Sequence, residues 1–264
     1  MMAGPVAIVT GASRGLGLAL AGELAARGWS LVLDARGAEA LAAAGEAVRG
    51  RGATAGAGES PGAGAGQVVA VAGDVTDGRH QEELVSAAER LGGLHLLVNN
   101  ASALGAEPLR RLAELPVDGF RRALEVNAVA PLGLIQRALP LLREGAGAVL
   151  NISSDAAVEA YPAWGGYGAS KAALDQLSAV LAAEEPAVRV WAVDPGEMRT
   201  ALYAAAVPDD DMSGCAEPEA VARVLAALVA SREVAGGRYS AAEIRTGIGT
   251  GIGTGIGTGI GAES

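Results

Sequence analysis

The stretch that decides the fold is Val6-Ala7-Ile8-Val9-Thr10-Gly11-Ala12-Ser13-Arg14-Gly15-Leu16-Gly17, close to the start of the chain. Its first four residues form a short apolar run typical of a buried strand, and leucines then recur at helical spacing as far as Leu24. Gly28 ends that helix, and a second apolar run follows at residues 30–33. A strand, a helix and a strand in this order predict a βαβ unit, and therefore a parallel sheet with right-handed crossovers.

The same alternation continues to about residue 240. Further strands are predicted at 68–71, 94–98, 148–152, 188–193 and 238–240, and helices at 38–48, 81–90, 119–142, 165–185 and 217–231. We therefore expect a single domain over residues 1–245 with an α/β fold, in which a mostly parallel, doubly wound sheet carries helices on both faces.

Two segments of low complexity interrupt this order. Residues 50–66 are nearly all Gly, Ala and Ser with one Pro, which predicts a flexible insert in a surface loop. Residues 246–264 contain Thr-Gly-Ile-Gly four times over, and half of that repeat is glycine. We expect a disordered tail, with a strand that contacts another subunit as the alternative.

Composition excludes several kinds of partner. The net charge of -10 disfavours nucleic acid, because binding to a phosphate backbone needs clustered Lys and Arg. The single cysteine, Cys215, cannot form an internal disulfide and fits a reducing compartment, so we expect a cytoplasmic protein. No apolar run approaches the roughly 20 residues that span a bilayer, and two histidines far from carboxylates predict no metal site.

The glycines of the opening stretch predict a phosphate-binding loop. Gly11, Gly15 and Gly17 lie between a strand and a helix, where side chains would hold a pyrophosphate away from the helix N-terminus. Ser13, Arg14 and Leu16 belong to the same loop and are expected to contact the cofactor. A purely conformational use of glycine in the turn is the alternative.

Side chains at the ends of the next strands are expected to bind the rest of a dinucleotide. Asp34 at the end of the second strand is typical of a ribose ligand, and Arg36 of a group that accepts a 2′-phosphate. Because no carboxylate stands at Ala35, we favour NADP(H), with NAD(H) possible and a structural cap as the alternative role of Asp34. Further candidate contacts follow the third and fourth strands: Asp74, Val75, Asn100, Ala101 and Ser102.

Tyr167 and Lys171 are four residues apart on a predicted helix and so share one face. A nearby ammonium, together with an oxidised nicotinamide, would favour the phenolate and bring the pKa of a tyrosine toward the working range of an acid–base catalyst. Such a pair is also common on helix surfaces. Here, however, Ser154 precedes Tyr167 by thirteen residues, and Asn127 precedes Ser154 by twenty-seven.

With these motifs in place, the chain resembles the short-chain dehydrogenase/reductase family, in its compact single-domain branch, over about residues 5–242. The matching residues are Thr10, Gly11, Gly15, Gly17, Asp74, Asn99, Asn100, Ala101, Asn127, Ser154, Tyr167, Lys171, Pro195 and Gly196. The resemblance implies a Rossmann-type, mostly parallel sheet of seven strands. The chain departs from the family pattern at Ser102, where glycine is common, and at His95, where an acidic residue is usual. The two low-complexity segments have no counterpart in the family.

The resemblance also implies the roles of the site residues. Tyr167 would exchange a proton with the substrate oxygen, and Ser154 would hydrogen-bond that oxygen. Lys171 would hold the nicotinamide ribose and lower the pKa of Tyr167, while Asn127 would hold a water in a proton relay. The nicotinamide would be lined by Pro195, Gly196, Met198 and Thr200.

Aromatic residues in the flanking loops, Tyr161, Trp164 and Tyr203, are candidates for substrate contact or for lid packing. The expected activity is NADP(H)-dependent hydride transfer between the nicotinamide and a small carbonyl compound or secondary alcohol. A non-catalytic redox sensor that binds NAD(P) and a dehydratase or epimerase on the same fold are the alternatives. Relatives of this family pair through the helices that carry Asn127 and Tyr167, so the resemblance implies a homodimer or homotetramer.

Overall fold

The computed structural model describes residues 4–55 and 66–250, and its strands form one parallel sheet. The strands are β1 (Val6–Val9), β2 (Ser30–Ala35), β3 (Val68–Ala72), β4 (Leu96–Asn99), β5 (Ala148–Ile152), β6 (Arg189–Asp194) and β7 (Gly237–Ser240). The helices are α1 (Gly15–Ala25), α2 (Ala38–Ala55), α3 (Gly78–Arg90), α4 (Val117–Leu124), α5 (Ala130–Glu144), α6 (Gly165–Glu184), α7 (Ala201–Ala206), α8 (Pro218–Ala230) and α9 (Ala241–Thr250). Within those ranges, no helix combines the length and the apolar character needed to cross a bilayer.

The sheet has the strand order β3-β2-β1-β4-β5-β6-β7. The order reverses between β1 and β4, where Val9 pairs with Val98, while on the other side of β1 it pairs with Leu33. In such a sheet the loops that leave β1 and β4 diverge to opposite faces and open a crevice at the carboxyl ends of the strands. The Rossmann-type, doubly wound sheet of seven strands is confirmed, and every strand pair is parallel.

The core lies on both faces of the sheet because successive side chains of a strand point in opposite directions. Val9 belongs to the apolar cluster that packs against α1 and α8, whereas Ile8 belongs to the cluster beneath α3 and α5. Both residues are fully buried, as are Val32 and Leu33, their neighbours on β2. This burial on two sides explains why the strands read as continuous apolar runs.

Several elements differ from the sequence prediction. Helix α2 continues to Ala55, so the first six residues of the expected insert are helical, and the rest of that segment up to residue 65 lies outside the described residues. The long helix expected at 119–142 is divided by a π-helical turn, Glu125–Val129. Helix α7 was not predicted.

Helix α9 takes in the first residues of the repeat tail, and residues 251–264 lie outside the described range. It begins with a reciprocal capping box, in which the Ser240 amide donates to Glu243 at 2.6 Å and the Glu243 amide donates to the Ser240 hydroxyl at 3.2 Å. Ile244 is 3% exposed and joins the core beside α8, so this helix is anchored by packing as well as by its cap.

Candidate active site

The loop between β1 and α1 needs its glycines. Gly11 and Gly15 have positive φ angles of 65° and 56°, which L side chains rarely adopt. A Cβ added at Gly17 would lie 2.5 Å from the carbonyl oxygen of Gly11, so the helix packs directly against the loop. The residue that precedes α1 is Arg14 rather than a capping Ser, Thr, Asp or Asn, which leaves the first-turn amides for an anion. This bare cradle fits a pyrophosphate.

Thr10 and Asn100 hold the loops of β1 and β4 together at the crevice. The Thr10 hydroxyl accepts from the amides of Asn100 and Ala101 at 2.9 and 3.0 Å, and the Asn100 side chain donates to the Thr10 carbonyl at 2.8 Å. Asn100 and Ala101 were predicted to contact the cofactor. Thr10 was given no role, because its bond partners Asn100 and Ala101 lie 90 and 91 residues away along the chain.

Asp34 ends β2 with its carboxylate bonded on both oxygens. Oδ2 accepts from the Gly11 amide at 3.3 Å, and Oδ1 lies 2.6 Å from Nε2 of His80 on α3. The prediction that both histidines are far from carboxylates is therefore wrong for His80. The carboxylate is almost fully buried, whereas Arg36, two residues further on, is exposed at the same end of the strand. The expected ribose contact of Asp34 thus competes with two protein partners, and Arg36 is the charged group that faces solvent.

Asp74 lies two residues after β3 and is held as a carboxylate. Burial favours its neutral form, but hydrogen bonds from Thr76 and the charge of Arg122 outweigh burial and lower its pKa to about 2. The Thr76 amide and hydroxyl donate at 3.0 and 2.7 Å, and Arg122 donates at 2.8 Å. Arg122 lies on α4 and lines the groove. It was not predicted, because only the packing of α4 beside the loop after β3 brings it there and its neighbours in the sequence give no sign of it.

Ser154, Tyr167 and Lys171 meet at the far end of the same crevice. Ser154 follows β5, while Tyr167 and Lys171 lie one turn apart on α6. The Lys171 ammonium lies 5.6 Å from the centre of the Tyr167 ring and donates to the Ile152 carbonyl at 2.8 Å. The Ser154 hydroxyl donates to Asp155 at 3.0 Å.

The pKa values of Tyr167 and Lys171 are governed by burial. Burial raises the pKa of Tyr167 to about 12, although hydrogen bonds with the hydroxyls of Ser102 and Ser154 act in the opposite direction. Burial lowers the pKa of Lys171 to about 8, against the favourable charge of Asp175. The sequence prediction was that Lys171 together with an oxidised nicotinamide lowers the pKa of Tyr167. In the chain by itself burial raises that pKa, so the phenol carries a proton that it can donate.

Asn127 lies in the π-helical turn and is fully buried. Its amide group donates to the Ala103 carbonyl and to the Ser170 hydroxyl, both at 2.8 Å. Its carbonyl oxygen accepts from the Ala103 amide at 2.8 Å and from the Ser102 hydroxyl at 3.2 Å. Asn127 therefore ties the loop after β4 to α6, and it contacts the reacting groups through Ser102.

Arg238 on β7 was predicted only as part of an edge strand, but the structure connects it to the reacting groups. Its Nε donates to Asp175 on α6 at 2.8 Å, and one of its terminal nitrogens donates to the Ser154 carbonyl at 3.0 Å. The guanidinium thus fixes the Ser154 turn against the helix that carries Tyr167. Ser154 and Arg238 are 84 residues apart, so no local spacing signals the contact.

The three aromatic candidates surround the mouth of the crevice. The Tyr161 hydroxyl donates to Asp155 at 3.0 Å, and the Trp164 ring packs edge-on against Tyr167 with 5.7 Å between ring centres. The Tyr203 hydroxyl bonds to Glu197 at 3.2 Å. These aromatic side chains are therefore held by polar or ring contacts at the entrance. Tyr203 lies on α7, whereas a position in a loop was expected.

One groove of about 1130 Å³ joins the glycine loop to the Ser154–Lys171 end, which is ample for a dinucleotide together with a small substrate. It is lined by Ser154 and by every residue predicted for the cofactor or the substrate except Gly17, which packs behind the loop. Asn127 also lies behind the wall. Among residues 4–55 and 66–250, no cluster of His, Cys, Asp and Glu side chains could hold a metal ion.

Known proteins share both the sequence and the fold. The family model described as short chain dehydrogenase matches residues 5–211. An uncharacterized oxidoreductase of Saccharomyces cerevisiae, YIR035C, is 37% identical over 131 residues, which are 49% of this chain and 51% of the relative. The chain spans about half the length of several curated relatives that it matches.

Two solved structures give the same result over nearly their whole length. An alcohol dehydrogenase from the archaeon Thermococcus sibiricus, complexed with 5-hydroxy-NADP, superposes with a TM-score of 0.78 at 26% identity, covering 89% of this chain and 95% of that one. The KRED1-Pglu enzyme superposes with a TM-score of 0.75 at 33% identity, covering 89% and 99%. On the family match, the fold and these likenesses, the chain belongs to the short-chain dehydrogenase/reductase family of oxidoreductases.

Proposed function

We propose that this protein is an NADP(H)-dependent oxidoreductase that interconverts a small carbonyl compound and its secondary alcohol. The observation that carries the proposal is the groove that runs from the bare glycine loop to the buried, protonated Tyr167 beside Ser154 and Lys171. A structural groove would not need a buried ammonium and a buried phenol at one end. Both groups are instead what hydride-transfer chemistry uses to handle a proton.

The residues of the groove suit the parts of a dinucleotide in order. The amides at the N-terminus of α1 would hold the pyrophosphate, and Asp74 with Val75 would frame the adenine. Lys171 would hold the nicotinamide ribose, and the segment from Pro195 to Thr200 would line the nicotinamide. In that segment Gly196 has a φ of 73° and its amide donates to Asp194 at 2.9 Å, which holds the turn open.

NADP(H) is favoured over NAD(H) by charge at the adenosine end. Arg14 and Arg36 both line the groove, and both are exposed enough to reach a phosphate. The carboxylate of Asp34 is directed to His80 and to the Gly11 amide. The archaeal alcohol dehydrogenase that superposes on this chain carries an NADP derivative, which supports the same choice.

The chemistry divides between the cofactor and the chain. The bound nicotinamide supplies or accepts the hydride. In the direction of reduction, Tyr167 donates its hydroxyl proton to the substrate oxygen. The Ser154 hydroxyl turns its proton from Asp155 to that oxygen and stabilises the charge developing there. The Lys171 ammonium stabilises the phenolate that remains. Asn127 keeps the loop of Ser102 in place against α6.

The substrate would enter between Tyr161, Trp164 and Tyr203, a mouth of aromatic faces that suits an apolar carbonyl compound. We further propose a single functional domain over residues 1–245 and a cytoplasmic location, which the lone cysteine supports. A homodimer or homotetramer is supported by exposed apolar side chains on the α5 and α6 region, namely Val129, Leu132 and Val180.

Substitution of Tyr167 by Phe tests the proposal. The variant keeps the ring packing but lacks the proton donor, so we expect turnover of ketones with NADPH to fall at least about 100-fold. The affinity for NADPH, measured by fluorescence titration, should change by less than about threefold. Tyr239→Phe is the matched control, because its hydroxyl bonds to the Ala235 carbonyl away from the groove. Undiminished turnover in Tyr167→Phe would remove this residue from the mechanism.

A further inference from the structure

A buried acid–base pair lies directly beneath the glycine loop. Asp34 ends β2 and His80 lies in the first turn of α3, with 2.6 Å between Oδ1 and Nε2. The two residues are 1% and 5% exposed. Asp34 forms part of the groove wall, whereas His80 lies behind it.

The pair is enclosed by backbone on both sides. On one side the Gly11 amide donates to Asp34 Oδ2 at 3.3 Å, which connects the carboxylate to the phosphate loop itself. On the other side the His80 ring rests on Gly73, where an added Cβ would lie 2.3 Å from Nδ1. The imidazole is therefore seated against bare backbone and holds the carboxylate in one orientation.

The charge of the Asp34 carboxylate affects whether the groove can bind the 2′-phosphate of NADP(H). An unpaired carboxylate at the end of the second strand of such a sheet suits a ribose hydroxyl and repels a 2′-phosphate. Buried carboxylates are tolerated when they are paired and hydrogen-bonded. The hydrogen bond to Asp34 raises the pKa of His80 against the effect of burial, and the charges of Glu83 and Asp77 act in the same direction, so the cationic form is favoured.

We propose that His80 is a positioning residue for cofactor specificity: it holds the Asp34 carboxylate beneath the phosphate loop and neutralises it, so that the groove accepts the 2′-phosphate of NADP(H) beside Arg36. This inference rests on the proposed function. It adds a determinant of specificity on α3, 46 residues from the strand end at which the cofactor is selected.

His80→Gln is the decisive variant, since its amide can still donate to Asp34 but carries no charge. We expect the dissociation constant of NADPH to rise about fivefold more than that of NADH. This is the effect expected when the Asp34 carboxylate, no longer neutralised, repels the 2′-phosphate through partly screened charge. Asp34→Asn removes the charge itself, so it should weaken NADPH binding no more than NADH binding. The double variant Asp34→Asn/His80→Gln pairs two neutral amides and should restore the original preference for NADPH.

The control is His95→Asn. His95 accepts from the Val6 amide at 3.1 Å at the amino ends of β1 and β4, away from the groove at their carboxyl ends. An Asn oxygen can take over that bond, so this variant should not change the ratio of the two affinities. Direct fluorescence titration of both cofactors needs no substrate, and thermal melting reports whether each variant folds. If His80→Gln does not fold, the double variant decides, because a loss of NADPH preference in it would overturn the inference.

Equal weakening of NADPH and NADH in His80→Gln would show a purely structural histidine and would also overturn the inference. The proposed function fails on a different result, namely an unmodified protein that prefers NADH or has no activity with carbonyl compounds. A change in the ratio of NADPH affinity to NADH affinity between variants can be measured whichever cofactor the unmodified protein prefers. The two failures are therefore distinguishable.

Discussion

Replacing Gly17 by Ala tests how closely α1 packs against the phosphate loop. The new Cβ would lie 2.5 Å from the Gly11 carbonyl oxygen and 2.6 Å from the Asn100 side-chain nitrogen. Neither atom is the end of a flexible side chain free to move, because Asn100 is itself bonded to Thr10 and Gly11. The loop must therefore shift, and overpacking of this kind costs about 1–3 kcal/mol.

Gly22→Ala in the same helix is the matched control. Its nearest contacts all belong to the side chain of Arg51, which can move aside. Both variants gain the same helix propensity, about 1 kcal/mol. The difference in the free energy of unfolding between them is therefore the overpacking alone, about 1–3 kcal/mol, or roughly 2–4 °C in Tm for each kcal/mol.

The assay combines thermal melting with NADPH titration. Because Gly11 shapes the pyrophosphate cradle, we expect Gly17→Ala to weaken NADPH binding by about tenfold, as small misplacements of a binding group do. Gly22→Ala should bind NADPH as the unmodified protein does. If the two variants have equal Tm values and equal NADPH affinities, the close packing of helix and loop has no role in cofactor binding.

Two further predictions concern the reacting groups. Arg238→Ala should lower kcat about tenfold by loosening the Ser154 turn, with little change in cofactor affinity, and Arg238→Lys should recover part of the loss. The exposed control Arg232→Ala should leave kcat unchanged. An unchanged kcat in Arg238→Ala would show that this guanidinium does not hold the Ser154 turn in place. Because the pKa of Lys171 is lowered to about 8, its ammonium is present below that pH and lost above it. The kcat for reduction, measured from pH 6 to 10, should therefore fall as the pH rises through about 8. A constant kcat up to pH 10 would show that this charge does not assist the reaction.

Much of the site could be predicted from the sequence because its signals are local. Gly11, Gly15 and Gly17 lie within seven residues of one another between β1 and the first turn of α1. Tyr167 and Lys171 share a helix face by their spacing alone. The ends of parallel strands meet at one edge of the sheet, so residues that follow them are expected to gather there.

The contacts that could not be predicted join distant parts of the chain. His80 approaches Asp34 only once α3 packs beneath β2, and Arg238 approaches Ser154 only across the end of the sheet. The raised pKa of Tyr167 depends on burial by its surroundings, which the spacing to Lys171 does not reveal. The start of α9 did carry a local signal in Ser240 and Glu243, a capping pair that was not used in the prediction.

The π-helical turn Glu125–Val129 has a consequence for how this segment tolerates insertions and deletions. A π turn contains one residue more than an α turn, and in a regular helix each residue advances the side-chain direction by about 100°. Removing a single residue from this turn would regularise the helix and rotate Asn127 away from Ala103 and Ser170. Substitutions on the solvent side of the turn should leave the hydrogen bonds of Asn127 intact. The number of residues in the turn is constrained, because the Asn127 side chain must reach both the loop of Ala103 and Ser170 on α6.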